Sequence, residues 1–358
     1  MKNPIKQCTS LVILFVGSVA ALANASEQFE SVESANLADY EKLVMNVSHS
    51  QLEIVDGNSN DLTATLTQTL YSGDQQECLM KLVTERKGST LELRTEKSQI
   101  SWNNHCEVRR KLLVSMDQKA LQKLEVELRH GNFETLSLIV PEQSLRIAHG
   151  NIKVADVSAS RWAINLSHGN GDFGTIASPQ ADMNGAHGGV KINSFSGERL
   201  NGKWAHGSVK LTELNVNKLK FEQAHGAFKV TKHHGDQLAI KNAHGPINLQ
   251  ASDAQSVELK NSHGEIYYAG NSDSLRVNNS HGDVNLIQRN ADFKEISGSA
   301  SHGDIHLKVP QASVCNFQVP QVNRLKSSIM KSAKDCDIAA GGELKLQGGH
   351  SDATVTSL

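Results

Sequence analysis

The chain is poor in aromatic residues, at 4% of 358, which argues against a platform on which sugars stack. After residue 21 no apolar stretch approaches the ~20 residues of a membrane helix, so no transmembrane helix is expected in the remainder. An apolar stripe of 3.6-residue period, carried by strong helix formers, is also missing, which excludes a helical repeat. There is no excess of positive charge: 36 Lys and Arg stand against 38 Asp and Glu, with the signs interspersed, and nucleic acid is not expected as a partner. No nucleophile motif is present. The polar residues recur evenly instead of forming the isolated acid and base cluster of a polysaccharide lyase or hydrolase. The chain therefore reads as a non-enzyme, with no rung standing out as a site.

Cysteine is scarce, with five in all. Cys8 lies ahead of the apolar run Leu11 to Ala21 and is not placed as a lipid anchor. Lys2, Lys6, that run and the small-residue pattern Ala23-Asn24-Ala25 have the layout of a secretory signal peptide, residues 1–25, cleaved before Ser26. Its loss would move the net charge from −2 to −4, because Lys2 and Lys6 leave and no acid does. An exported chain with Cys78, Cys106, Cys315 and Cys336 most simply forms two disulfides. Three pairings are possible, and the local one, Cys78 with Cys106 and Cys315 with Cys336, is favoured. Export places the protein in the periplasm or at the cell surface.

What the chain does have is a repeat. A His-Gly pair recurs every 19 residues at His130, His149, His168, His187, His206, His225, His244 and His263, then after two uneven steps at His281 and His302. Nineteen residues cannot bury a core alone and must stack on copies of themselves. Three residues after each His stand Phe133, Ile152, Val190, Val209, Phe228, Ile247, Ile266, Val284 and Ile305, with Gly171 the lapse. Five residues after it, from the second His onward, stand Val154, Phe173, Ile192, Leu211, Val230, Leu249, Tyr268, Leu286 and Leu307. Polar residues such as Glu134, Lys153, Asp172 and Lys210 lie between them, so the segment is a half-buried strand.

A second strand follows in each rung, marked by Trp162 and Ile164, Leu219 and Phe221, Leu238 and Ile240, and Val257 and Leu259. A stretch rich in Ser, Asn, Asp and Gly between the two suits a turn. The fold class is all-β: a parallel β-helix or solenoid of 19-residue rungs, right-handed because parallel crossovers almost always are. Residues 26–120 form an irregular, strand-rich beginning, 121–309 the regular array, and 310–358 irregular last coils. Both presumed disulfides fall in the end regions, where a solenoid must hide its strand edges.

The stretches Ser280-His281-Gly282-Asp283-Val284, Ser301-His302-Gly303-Asp304-Ile305 and Ala148-His149-Gly150-Asn151-Ile152 resemble the short Ser-Gly-Asp-Ile-like turns of a large bacterial family of exported candidate adhesins of unknown function. The resemblance covers most of the chain after the leader. It implies a β-solenoid and carries no catalytic residues. The repeated His is this chain's departure from the pattern.

Each His except the first follows Ala or Ser, and each precedes Gly, the layout of a tight corner. Counting from the first strand puts the ring outside; counting from the second puts it inside. Ten buried imidazoles would each need hydrogen-bond partners, so an outward or rim position is expected. Charged rings about 4.8 Å apart would repel by roughly 1 kcal/mol per neighbour in water, which favours neutral rings near neutral pH. Neutral imidazole binds metal, and neighbouring rungs could share Zn²⁺, Cu²⁺ or Ni²⁺. Glu265, Asp283 and Asp304, each two residues after a repeat His, would complete such sites, with His233, His234 and His306 as further ligands. The plainer alternative is a stacked structural turn, as Asn242, Asn261 and Asn279 suggest two residues before three of the His. The chain is expected to be an adhesin-like binding or scaffold protein that meets a cell-envelope protein or polysaccharide, with transition-metal capture as the alternative.

Overall fold

The computed structural model describes residues 26–57, 60–97, 105–310, 314–329 and 342–358. The leader sequence, Cys8 and Cys336 lie outside the described residues, and with them the expected cleavage and the expected Cys315–Cys336 pairing. The chain divides into two compact units between Asn170 and Gly171.

In the first unit the strands Lys123–His130, Glu142–His149 and Arg161–His168 pair in parallel, and Phe133–Leu138 pairs with Ile152–Ser158. The register sets His149 beside His130 and His168, and Ile152 beside Phe133, so a 19-residue shift lays each residue over its copy. In the second unit the rungs Val190–His206, Val209–His225, Phe228–His244, Ile247–His263 and Ile266–His281 stack in the same way. Here the expected turn does not interrupt the strand. Each rung is one extended segment of 17 residues, or 16 in the last, that bends while keeping its ladder bonds, because the Ser and Asn backbone groups find partners one rung away.

The two arms of a rung close on a shared apolar interior. Ile247, Leu249, Val257 and Leu259 are all at most 1% exposed, and the rings of Phe221 on a second arm and Phe228 on the following first arm lie 4.9 Å apart. Each such aliphatic side chain contributes about 1.5–3 kcal/mol relative to exposure, an upper bound set by the extended reference chain. Outward side chains make ion pairs between rungs, such as Lys232 to Glu213 at 2.9 Å and Lys153 to Glu134 at 3.2 Å; these are exposed and add little.

Both ends of the chain interleave. The strands Lys42–Val47 and Gln51–Asp56 form a rung that packs between the array and an outer layer, Thr90–Lys97 with Glu107–Met116. Antiparallel strands cover that layer: Asp61–Ser72 pairs with Glu107–Met116 and with Glu27–Asn36, and Met80–Lys87 pairs with Thr90–Lys97. Cys78 and Cys106 form a disulfide with Cα atoms 5.5 Å apart. At the other end Gly342–Gly348 and Asp352–Ser357 slot between Glu295–His302 with Ile305–Val309 and the strands Val314–Gln321 with Arg324–Ser327. The last rung in sequence is thus not the last in space. Interleaving gives the outermost rung a chain connection on either side, which opposes fraying at an exposed strand edge.

Candidate functional site: the histidine corner

Backbone geometry builds the corner first. The Gly after each repeat His has positive φ, +120° at Gly245, a region that penalises any side chain. A Cβ on Gly245 would also lie 2.3 Å from the carbonyl oxygen of Gly226. Successive rungs are this close because Gly226 N–H donates to the His244 carbonyl and Gly245 N–H to the His263 carbonyl, both at 2.8 Å.

Inside the corner, the side chain two residues before the His donates to the Gly carbonyl of the preceding rung. Asn242 Nδ2 reaches Gly226 O at 3.0 Å, Asn261 reaches Gly245 O at 2.9 Å and Asn279 reaches Gly264 O at 2.9 Å. Each also donates to the Gly carbonyl of its own corner. The asparagine ladder read from the sequence is therefore real, and it extends further: Trp204 Nε1 and Gln223 Nε2 fill the same role against Gly188 and Gly207. Their different residue types hid them.

With the interior supplied by these amides, the imidazoles stand outside. His130, His149, His168, His187, His206, His225, His244, His263, His281 and His302 are all exposed. In the first unit the rings stack face to face from His49 to His130, His149 and His168, with centroids 4.6–4.8 Å apart. In the second they stack from His187 through His302 at 4.6–4.9 Å, and His350 follows at 5.4 Å with its plane tilted by 34°.

His49 and His350 were not found as members of the column. Neither precedes glycine: Ser50 and Ser351 stand there instead, and at the first corner the positive φ, 52°, has passed to His49 itself. The signal that finds both is the apolar pair three and five residues on, Leu52 and Ile54 after His49, Ala353 and Val355 after His350.

Lost hydration, with repulsion from neighbouring rings, lowers the titration of two histidines. His225 is held below the ordinary histidine value, first by lost hydration and then by repulsion from His244 and His206. His49 is lowered by burial, then by His130, Lys97 and Arg110.

The carboxylates proposed as co-ligands have other work. Asp283 Oδ1 accepts the Asp304 backbone N–H at 3.0 Å, and Asp304 Oδ1 accepts that of Asp352 at 3.0 Å, as Asn132 and Asn151 do for the next rungs at 2.9 Å in the first unit. Glu265 Oε1 accepts from Asn285 Nδ2 at 2.8 Å. Among the described residues no three of His, Cys, Asp and Glu gather as an ion site. The near-parallel rings, with interplanar angles of 1–14° within the stacks, aim their in-plane nitrogen lone pairs alongside one another, so two neighbours must rotate to share an ion.

His306 is exposed, beside Asn285 in the adjacent rung. His234 is exposed with Nδ1 3.9 Å from Asp253. His233, in contrast, points inward at 3% exposure. Burial pushes it down to about 4, with the Val216 backbone opposing. A buried imidazole thus takes the place of the aliphatic residue found at Leu214 in the rung before.

The fold and corner define a parallel β-solenoid with a histidine edge. The Toastrack DUF4097 family model matches residues 40–213 and 198–322, and the chain belongs to that family. No curated protein is significantly similar in sequence. Among solved structures, a candidate adhesin of Parabacteroides merdae is 8% identical, with 92% of this chain and 96% of that chain covered and a TM-score of 0.35. A candidate lipid-binding protein of Parabacteroides distasonis is 14% identical, with 91% and 96% covered and a TM-score of 0.31. A candidate adhesin of Bacteroides fragilis is 9% identical, with 92% and 97% covered and a TM-score of 0.25. With TM-scores this low, the fold rests on the family match and on the strand register itself.

Proposed function

We propose that this chain is an exported, non-enzymatic, adhesin-like β-solenoid that presents its histidine corner to a protein or polysaccharide of the cell envelope. One observation carries the reading: identical exposed side chains repeat at 4.6–4.9 Å in the second unit on a corner whose inner amides and glycines fix the backbone. Such an array offers many equal weak contacts, which add by multivalency when the partner is itself periodic. Protease treatment of intact cells, followed by sequencing of the N-terminus of the released protein, tests it. The reading predicts cleavage only where the protease reaches the periplasm or surface, and a chain starting at Ser26; a cytoplasmic, uncleaved chain overturns it.

Transition-metal capture is the second reading, favoured by the same spacing. Pairs of neighbouring imidazoles, once rotated, could each hold Zn²⁺, Cu²⁺ or Ni²⁺, giving several similar weak sites in place of one strong one.

A further inference from the structure

The corner opposite the histidines carries a second candidate site. The 19-residue register slips once between Ile247–His263 and Ile266–His281: Leu249 pairs with Tyr268 and Ser252 with Gly270. Gln250 and Ala251 thus stand against Ala269 alone. This is a β-bulge, a feature that re-aims side chains beside functional sites. Gly270 is required there, since its Cβ would lie 2.1 Å from the Ser252 carbonyl oxygen and 2.8 Å from Tyr268 Oη.

An open, shallow groove of about 630 Å³ lies over the bulge. Glu213, Lys232, His234, Asp253, Asn271 and Arg289 line it, with Asn215 and Ser194 at its edge. His233 and Ser252 also line it, each 3% exposed. His233 Nδ1 is 3.4 Å from Ser252 Oγ, while its Nε2 has no hydrogen-bond partner.

We propose that this groove binds a neutral, hydroxyl-rich oligosaccharide. The proposal rests on the adhesin-like reading and adds to the histidine corner a second contact, on the opposite corner, with its own ligand chemistry. Three features of the groove select that chemistry. The two carboxylates, Glu213 and Asp253, are matched by two cations, Lys232 and Arg289, so neither a polyanion nor a polycation is favoured. The side-chain amides of Asn215 and Asn271 and the Arg289 guanidinium make no hydrogen bond or ion pair within the described residues, which leaves paired donors and acceptors for vicinal hydroxyls. The walls repeat with the rungs at about 4.8 Å, close to the length of one pyranose in an extended chain, so successive sugars meet successive rungs. Because no aromatic face is exposed in the groove, affinity comes from hydrogen bonds and is weak per sugar.

The test is saturation-transfer NMR and calorimetry on the purified protein with maltoheptaose, laminariheptaose and chitohexaose, beside polygalacturonate and an acidic peptide. Saturable binding of a neutral oligosaccharide, weakened about tenfold by N215A/N271A and unchanged by K241A on the outer face of the arm, is expected. No saturable binding of any neutral sugar, binding indifferent to N215A/N271A, or tighter binding of polygalacturonate or the peptide overturns the groove assignment. Capture on cell envelopes is measured in parallel. Envelope capture without neutral-sugar binding sinks the groove alone; groove-dependent sugar binding without envelope capture upholds the groove and sinks the adhesin-like reading.

Discussion

Replacing His233 with leucine, the residue its register neighbour Leu214 already supplies, isolates the energetic consequence of a buried imidazole. The ordinary histidine value is 6.5, and burial holds this ring down to about 4. As pH falls below 6.5 the unfolded chain takes up a proton that the folded chain refuses until about pH 4. The folded state therefore loses nothing at this residue above pH 6.5 and is progressively destabilised between 6.5 and 4. At 1.36 kcal/mol per unit, the loss amounts to about 3 kcal/mol. Urea unfolding of wild type and H233L, repeated from neutral pH down to about pH 4, reads it directly, because all other titrating groups are common to both and cancel in the difference. The stability of H233L relative to wild type should rise by about 3 kcal/mol over that range. A constant gap at every pH would refute the reasoning, since it would mean that His233 takes up its proton as easily folded as unfolded.

G245A should cost about 2 to 4 kcal/mol from positive-φ strain and the approach to the Gly226 carbonyl, measured as a lower denaturant midpoint; an unchanged midpoint would contradict the corner geometry. Reducing Cys78–Cys106, which closes a separation of 28 residues, should cost roughly 3.5 kcal/mol and show first as faster proteolysis around residues 75–107, with no such change if the cap does not depend on it. Titration with Zn²⁺, Cu²⁺ and Ni²⁺, beside a variant with His263, His281 and His302 changed to Asn, should give several micromolar-range sites lost in the variant if the metal reading holds; uptake no tighter than by an unrelated protein removes that reading.

The solenoid was legible because two constraints recur together: apolar residues three and five places after a His, and the Gly that alone fits the corner. Those rules placed Val209 over Val190 and His225 over His206 as the structure has them. The facing of the His was not legible from strand alternation, which the tight corner breaks, but the partners that ten buried imidazoles would need pointed outward, and the exposed rings agree. Only the ladder of Trp204, Gln223, Asn242, Asn261 and Asn279 behind the corner shows that the interior is already supplied with donors. The interleaved ends were hidden for a different reason: strands adjacent in sequence, such as Ile305–Val309 and Val314–Gln321, are separated in space by Gly342–Ser357, and no local pattern records a long-range insertion. The groove at His233 was visible only as two histidines outside the repeat and one short 18-residue step, from His263 to His281, whose meaning depends on the bulge it creates.

The central claim is that the exposed histidine corner is the adhesive face. The most direct measurement is a binding isotherm of the purified protein on isolated bacterial cell envelopes, beside a variant with His206, His225, His244 and His263 changed to Asn, which leaves the inner amide ladder and corner glycines intact. Saturable binding by the wild type, weakened about tenfold or more in the variant, is the predicted result; equal binding by both, or no saturation by either, would contradict the account.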